Sequence, residues 1–179
     1  MAIRDSRTGP QVNMHDPDKK LVPIVFPVSI IVRWREARDT AWSDGYWEVT
    51  GMVAAERGVP GVVKREALHS GSQEAQYLWS GLQVSLYRDD AESYYFNIVS
   101  DRPRAFVISR QEEGEAPEPF LATLSYDEAA SYMEVDDVVD SVDMPPELYR
   151  QLERFVLEHY VPERKKKRKR DDWKKEGRH

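Results

Sequence analysis

Every even-numbered residue from 22 to 34 is apolar: Val22, Ile24, Phe26, Val28, Ile30, Val32 and Trp34. A period of two over this length is the pattern of a strand with one buried face. A helix would scatter these side chains around its circumference. The chain must therefore supply further strands and a core to cover that face. Pro23 and Pro27 cannot donate ladder hydrogen bonds, so the regular strand is expected to start after Pro27 or to lie on an edge.

The downstream sequence supplies them. "WSDGYWEVTGMVAA" offers Asp44-Gly45 as a turn and an alternation through Trp47, Val49 and Val53, a second strand hairpinned to the first. A loop with Gly58, Pro60 and Gly61 precedes a weak strand near Val62–Arg65. In "YLWSGLQVSLYRDDAESYYFNIVS", Leu82, Val84 and Leu86 alternate outward, and Tyr94, Phe96 and Ile98 alternate back. This predicts a hairpin turned at Asp89–Ser93. "RAFVISR" predicts a strand from Ala105 to Arg110, and "FLATL" a last strand at Phe120–Leu124, across the acidic turn "QEEGEAPEP".

The period then changes. Ser125 followed by Glu128 is a capping box, which predicts a helix over Tyr126–Met133. "EVDDVVDSVD" reads as an acidic loop, with Val135, Val138, Val139 and Val142 packing part of it as an irregular or edge segment. Pro145-Pro146 suits a helix start. Leu148, Leu152, Phe155, Val156 and His159 share one face of that helix, which Pro162 stops. The expected fold is α+β: a mainly antiparallel sheet of about seven strands, sandwich or partly closed barrel, followed by two C-terminal helices. Residues 1–20 are expected to be disordered, 21–162 to form one domain, and 163–179 to be a basic, disordered tail.

Charge divides the chain the same way. From Glu163 to His179 there are ten Lys or Arg and four Asp or Glu, a net of +6. The total is −6, so the preceding residues, with 16 basic and 28 acidic side chains, carry −12. Arg164, Lys165, Lys166, Lys167, Arg168, Lys169 and Arg170 form seven consecutive cations, and Trp173 follows. A solvated extension is the plain reading of such a run. The functional reading is a docking element for an anionic partner, with Trp173 as a small anchor.

Several chemistries lack their residues. The chain has no cysteine, which removes disulfides, thiolate metal sites and cysteine nucleophiles. His15, His69, His159 and His179 show no metal-ligand spacing, and His159 suits a helix C-terminus, where a cation favours the dipole. The acidic residues Glu134, Asp136, Asp137, Asp140 and Asp143 lack the glycine of a calcium loop. Asp89, Asp90 and Glu92, at an exposed hairpin tip, are expected to titrate ordinarily. No nucleophile elbow and no phosphate-binding glycine motif occurs. Trp34, Trp42, Trp47 and Trp79, with Tyr46, Tyr77, Tyr87, Tyr94 and Tyr95, read as core and cross-strand pairs rather than a base-stacking platform. No signal peptide or membrane span is read, and a cytoplasmic location is expected.

The ordered blocks "YLWSGL", "RDDAESYYFN", "SYDEAA", "VDMPPEL" and "FVLEHYVPE", with Trp47 and Val49 before them and a basic tail after, carry a resemblance. From about Pro27 to Arg170 the chain resembles a bacterial family of unknown function. Its members are encoded beside molybdenum- or tungsten-dependent formate dehydrogenase genes, mainly in proteobacteria. The resemblance implies an accessory role in assembly, cofactor insertion or regulation of that enzyme. Some members carry a name implying molybdopterin-guanine dinucleotide synthesis, but this chain lacks the glycine-rich N-terminal loop that such a nucleotidyltransferase needs. The expectation is thus a non-catalytic protein with no cofactor or metal, whose partner is a formate dehydrogenase subunit or maturation factor. The alternative is a nucleic-acid-binding protein that uses the basic tail. An enzyme would need a buried, pKa-shifted cluster in a cleft.

Overall fold

In the computed structural model, residues 23–37, 45–55, 61–71, 74–135 and 137–162 are described. The order of elements is β1 (Ile24–Arg35), β2 (Tyr46–Ala54), β3 (Lys64–Ser70), β4 (Glu74–Leu86), a 3-10 turn at Arg88–Asp90, α1 (Ala91–Ile98), β5 (Arg104–Arg110), β6 (Glu118–Thr123), α2 (Tyr126–Met133), β7 (Val138–Asp143) and α3 (Pro146–His159). The expected segments 1–20 and 163–179 lie outside the described residues, as do Trp42 and Asp44.

The strands form one sheet in the order β2-β1-β4-β6-β5-β7, with β3 also paired to β4. All pairings are antiparallel except the short parallel contact of β4 with β6 at Val84 and Ala122. The far end, β7, packs back against β2, so the sheet is a nearly closed barrel. This is the expected α+β class, with three α-helices rather than two.

The even-numbered stripe of β1 is the inner face. Val28, Ile30 and Val32 are fully buried, opposite Leu82, Trp79 and Tyr77 of β4 and Ala54, Met52 and Val49 of β2. The strand begins at Ile24, before Pro27. There it pairs only with β4, because the β1–β2 ladder ends at Val28 and Ala54. The Pro27 carbonyl accepts from Ala55 N at 2.9 Å, so the missing N–H costs only the terminal bond of that ladder.

Of four register shifts in the sheet, two border β1. One lies in β2, beside Ile31 and Val32 of β1, and turns Met52 inward while leaving Val53 exposed. The other lies in β4, opposite Ser29, at Gly81, whose φ of +90° suits glycine. There β4 changes partners along one edge, from β3 before the bulge to β6 after it.

The predicted hairpin after Leu86 is instead a strand followed by a helix. Tyr94 is fully buried, whereas Phe96 is exposed, so the period-two reading of Tyr94, Phe96 and Ile98 fails. The buried set Ala91, Tyr94 and Asn97 has helical spacing, and Asp89, Asp90 and Glu92 supply the acidic first turn that favours a helix start. The acidic loop before α3 contains β7, an edge strand antiparallel to β5, so the strand at Glu118–Thr123 is not the last. The weak strand lies slightly later than expected, at Lys64–Ser70.

Candidate partner-binding surface

The residues between Tyr87 and Ser125 hold three segments together through buried polar groups. The Asn97 amide donates to the carbonyls of Arg104 and Leu124, both at 2.8 Å, while its oxygen accepts from Arg104 N at 2.9 Å. Ser125 caps α2 by accepting from Glu128 N at 3.2 Å. Its hydroxyl also lies 3.1 Å from that of Ser93, which accepts from Asp127 N. The blocks "RDDAESYYFN" and "SYDEAA" are thus bonded to each other. Tyr94 Oη accepts from Tyr87 N at 3.3 Å and donates toward the Ser85 carbonyl at 3.4 Å.

Asp90 is not at an exposed hairpin tip. It precedes α1, 3.5 Å from Tyr94 Oη, and partial burial raises its carboxyl pKa, opposed by that hydrogen bond and aided by Asp127 and Asp89. Burial also pushes the Tyr94 hydroxyl upward. This pair has shifted titration, but its hydrogen bonds close on the backbone of its own turn. Asp140 on β7 is raised by burial, with the Glu48 carboxylate as a further cause. Glu48 itself is gripped by Arg33 at 2.7 and 3.0 Å.

Most aromatic residues of the sheet are at least partly buried or pair with another ring, whereas Tyr46 at the start of β2 is exposed. Trp34 opposes Trp47 in the β1–β2 register, and Trp47 lies 5.8 Å from Tyr77. The Arg65 guanidinium covers Tyr77 at 4.9 Å. Among the described residues, Trp79 Nε1 and Ser109 Oγ are buried without a hydrogen-bond partner. No group of three or more His, Asp or Glu among the described residues is arranged to hold a metal ion. No helix among them is long and apolar enough to cross a membrane. An open groove of about 650 Å³ runs past Ile98, Pro103, Met144 and Tyr149, and the arginines at its edge, Arg102 and Arg150, are paired with Asp143 and Glu147.

The outward side of α1 and the end of α3 carry exposed apolar side chains, as α2 does at Tyr126 and Met133. The α3 helix buries Leu148, Leu152, Phe155 and Val156, four of the five residues expected on its inner face. His159, the fifth, sits in the last turn with its ring 4.5 Å from Phe155. Leu157 points away and is 81 % exposed. Tyr160 stacks on Tyr95 of α1 at 4.4 Å, with planes inclined by 18°, and Tyr95 meets Phe96 edge-on at 5.6 Å. Phe96 is 57 % exposed, and Val161, next to Tyr160, is 81 % exposed. Three rings in a row therefore lead to the point where the chain leaves α3. The sequence-derived binding residues, Arg164 to Arg170 and Trp173, lie outside the described residues, but Arg164 follows Pro162 by only two positions. Sequence reasoning missed Phe96 because it placed that residue on the inner face of a strand.

A nearly closed mixed barrel with α1 and α3 packed together, and an aromatic seam between them, defines an α+β protein. The chain belongs to the family described as protein of unknown function (DUF3305), whose model matches residues 27–169. The match runs from Pro27 in β1 through every later element and into the cationic run. Neither the curated proteins nor the solved structures contain a match to the chain.

Proposed function

We propose that this protein is a non-catalytic accessory protein that binds a molybdenum- or tungsten-dependent formate dehydrogenase, or a factor that matures it, in the cytoplasm of a proteobacterium. The observation that carries this reading is the exposed Phe96 at the end of a row of rings whose other two members, Tyr95 and Tyr160, are half-buried; in the sequence, seven consecutive cations begin four residues after Tyr160. Large apolar side chains left on a surface beside concentrated charge are what a protein interface uses: aromatic anchors at its centre and charge at its rim. The choice of enzyme comes from the resemblance of the sequence blocks to a family encoded beside formate dehydrogenase genes. The buried polar side chains of those blocks support a binding role, because Ser93, Tyr94, Asn97 and Ser125 are committed to backbone groups and to one another. Affinity purification of the tagged full chain from cells expressing the enzyme tests the reading. Dehydrogenase subunits are expected in the eluate, and their absence would overturn it.

The cationic run supports a second reading, nucleic-acid binding. Contacts from Arg164 to Arg170 would release counterions, and log K would fall by about 0.9 per contacted phosphate for each unit of log salt on duplex DNA. Fluorescence anisotropy with duplex DNA and with RNA across a salt series decides it. Binding that is absent at low salt, or unaffected by salt, removes this reading.

A further inference from the structure

The groove past Ile98 is built like a ligand site. It lies where α1 ends, β5 begins and α3 starts, and its volume of about 650 Å³ falls within the range of small-molecule sites, roughly 300–1,000 Å³. Its lining is apolar at Ile98, Pro103, Met144, Pro146 and Tyr149, all half-buried except Pro146. The backbone beneath is fixed. Met144 N donates to the Pro103 carbonyl at 3.4 Å, and Asn97, next to Ile98, bonds both the N–H and the carbonyl of Arg104. The charged lining is Arg102, Arg150 and Asp143, a surplus of one positive charge, and Asp101 is not part of it. Asp143 is bonded by Arg104 as well as by Arg102, so two guanidiniums share one carboxylate, while Arg150 has Glu147 at 3.6 Å. Arg102 is therefore the cation in excess. Its 3.3 Å contact with Asp143 joins side chains that are 76 % and 78 % exposed, and such a pair adds little stability. The residues before Glu163 carry −12, so a cation in excess on a concave apolar wall is a local reversal of the surface charge.

We propose that this groove binds a small organic monocarboxylate with an apolar body. The carboxylate accepts hydrogen bonds from the Arg102 guanidinium, with Arg150 as the second donor at the rim, and the body covers Ile98, Met144 and Tyr149. One guanidinium in excess matches one negative charge. A phosphate monoester carries about −1.5 to −2 at neutral pH and would leave charge unpaired. The inference does not rest on the accessory-protein reading.

Titration of the isotope-labelled full chain with phenylbutanoate, followed by amide NMR shifts, tests this. A probe of about a dozen heavy atoms at ordinary ligand efficiency should bind with a Kd on the order of 1 mM. Saturable shifts are expected at Ile98, Ser100, Met144 and Arg150. Arg102→Gln changes an exposed side chain, so it should leave Tm unchanged while weakening binding about tenfold. Arg110→Gln, on β5 but outside the groove lining, should leave binding unchanged. Phenylbutanol, with the same body and no charge, should bind at least about tenfold more weakly than the acid. No saturation at roughly twenty times the expected Kd would overturn the inference, as would shifts confined to other amides. Equal binding of the alcohol, or an equal loss with Arg110→Gln, would also overturn it. So would tighter binding of phenyl phosphate or of an acidic, leucine-containing peptide.

Discussion

Asn97 stands where α1, β5 and the end of β6 meet, and one amide satisfies three backbone groups there. Removing it leaves a buried N–H and two buried carbonyls unpaired, each worth about 1–3 kcal/mol before relaxation. Asn97→Ala should therefore cost roughly 3 kcal/mol, seen as a fall in Tm of about 10 °C. Ser109→Ala is the internal control. Its hydroxyl is buried without a partner, so removing it should leave Tm unchanged or slightly raised. A loss at Ser109 as large as that at Asn97 would show that cavity formation, not hydrogen bonding, dominates. Gly81 makes the second test. A Cβ there would sit 2.7 Å from the Val62 carbonyl carbon and closer still to its oxygen, at a φ of +90°. Gly81→Ala should cost at least about 2 kcal/mol by thermal melting, from left-handed strain plus the displaced Val62 segment. The Ser125 cap was legible in sequence, because S-x-x-E is a local code. The role of Asn97 was not, since its partners lie 7 and 27 residues away and no local pattern encodes them.

Elements followed their periodicity where one face alone was buried. The apolar stripe of β1, the capped α2 and the amphipathic α3 were all readable from spacing. The α1 helix was not, because "ESYYFNI" offers aromatic residues at both helical and alternating positions. Which of them is buried depends on α3: Tyr94 packs edge-on at 5.8 Å against Phe155, 61 residues later. Strand β7 was legible only as an irregular or edge segment within an acidic loop. Its acidic residues resemble a loop, yet the strand borders the barrel and takes its hydrogen bonds from β5. One of them, Asp140, is held uncomfortably. Its pKa is raised from an ordinary 3.8 by burial, then by Glu48. A raised acid binds its proton more tightly in the folded state than in the unfolded one. Its contribution to stability is therefore full below about pH 3.8 and is lost as pH rises through the raised folded value. Asp140→Asn should raise Tm at pH 7 relative to the parent and flatten the decline above the ordinary carboxylate range. Melting curves from pH 4 to 8 check this, and an unchanged or lower Tm at pH 7 would show that the charged form is favourably held.

At the scale of the whole molecule, body and tail are of opposite charge, and the aromatic seam lies where they join. The family match continues past Pro162 to Lys169, so it takes in six of the seven cations of the run. Fold class was legible from periodicity. The seam was not, because it exists only once α1 forms and Tyr160 stacks on Tyr95. The apolar face of α3 is already complete at Val156, so the tail should add nothing to the core. Truncation after Glu163 is expected to shift Tm by no more than about 2 °C, as surface changes within about 0.5 kcal/mol do. A large fall would mean that the tail is part of the fold. The central proposal is that the protein binds a formate dehydrogenase through the aromatic row of α1 and α3, aided by the cationic run that follows in the sequence. Biolayer interferometry with purified full-length chain and purified formate dehydrogenase, together with its maturation factors, measures this directly. Binding is expected that weakens about tenfold or more with Phe96→Ser, weakens severalfold on truncation after Glu163, and falls as salt is raised above about 0.1 M. No binding at low salt, or binding indifferent to both variants, would contradict it.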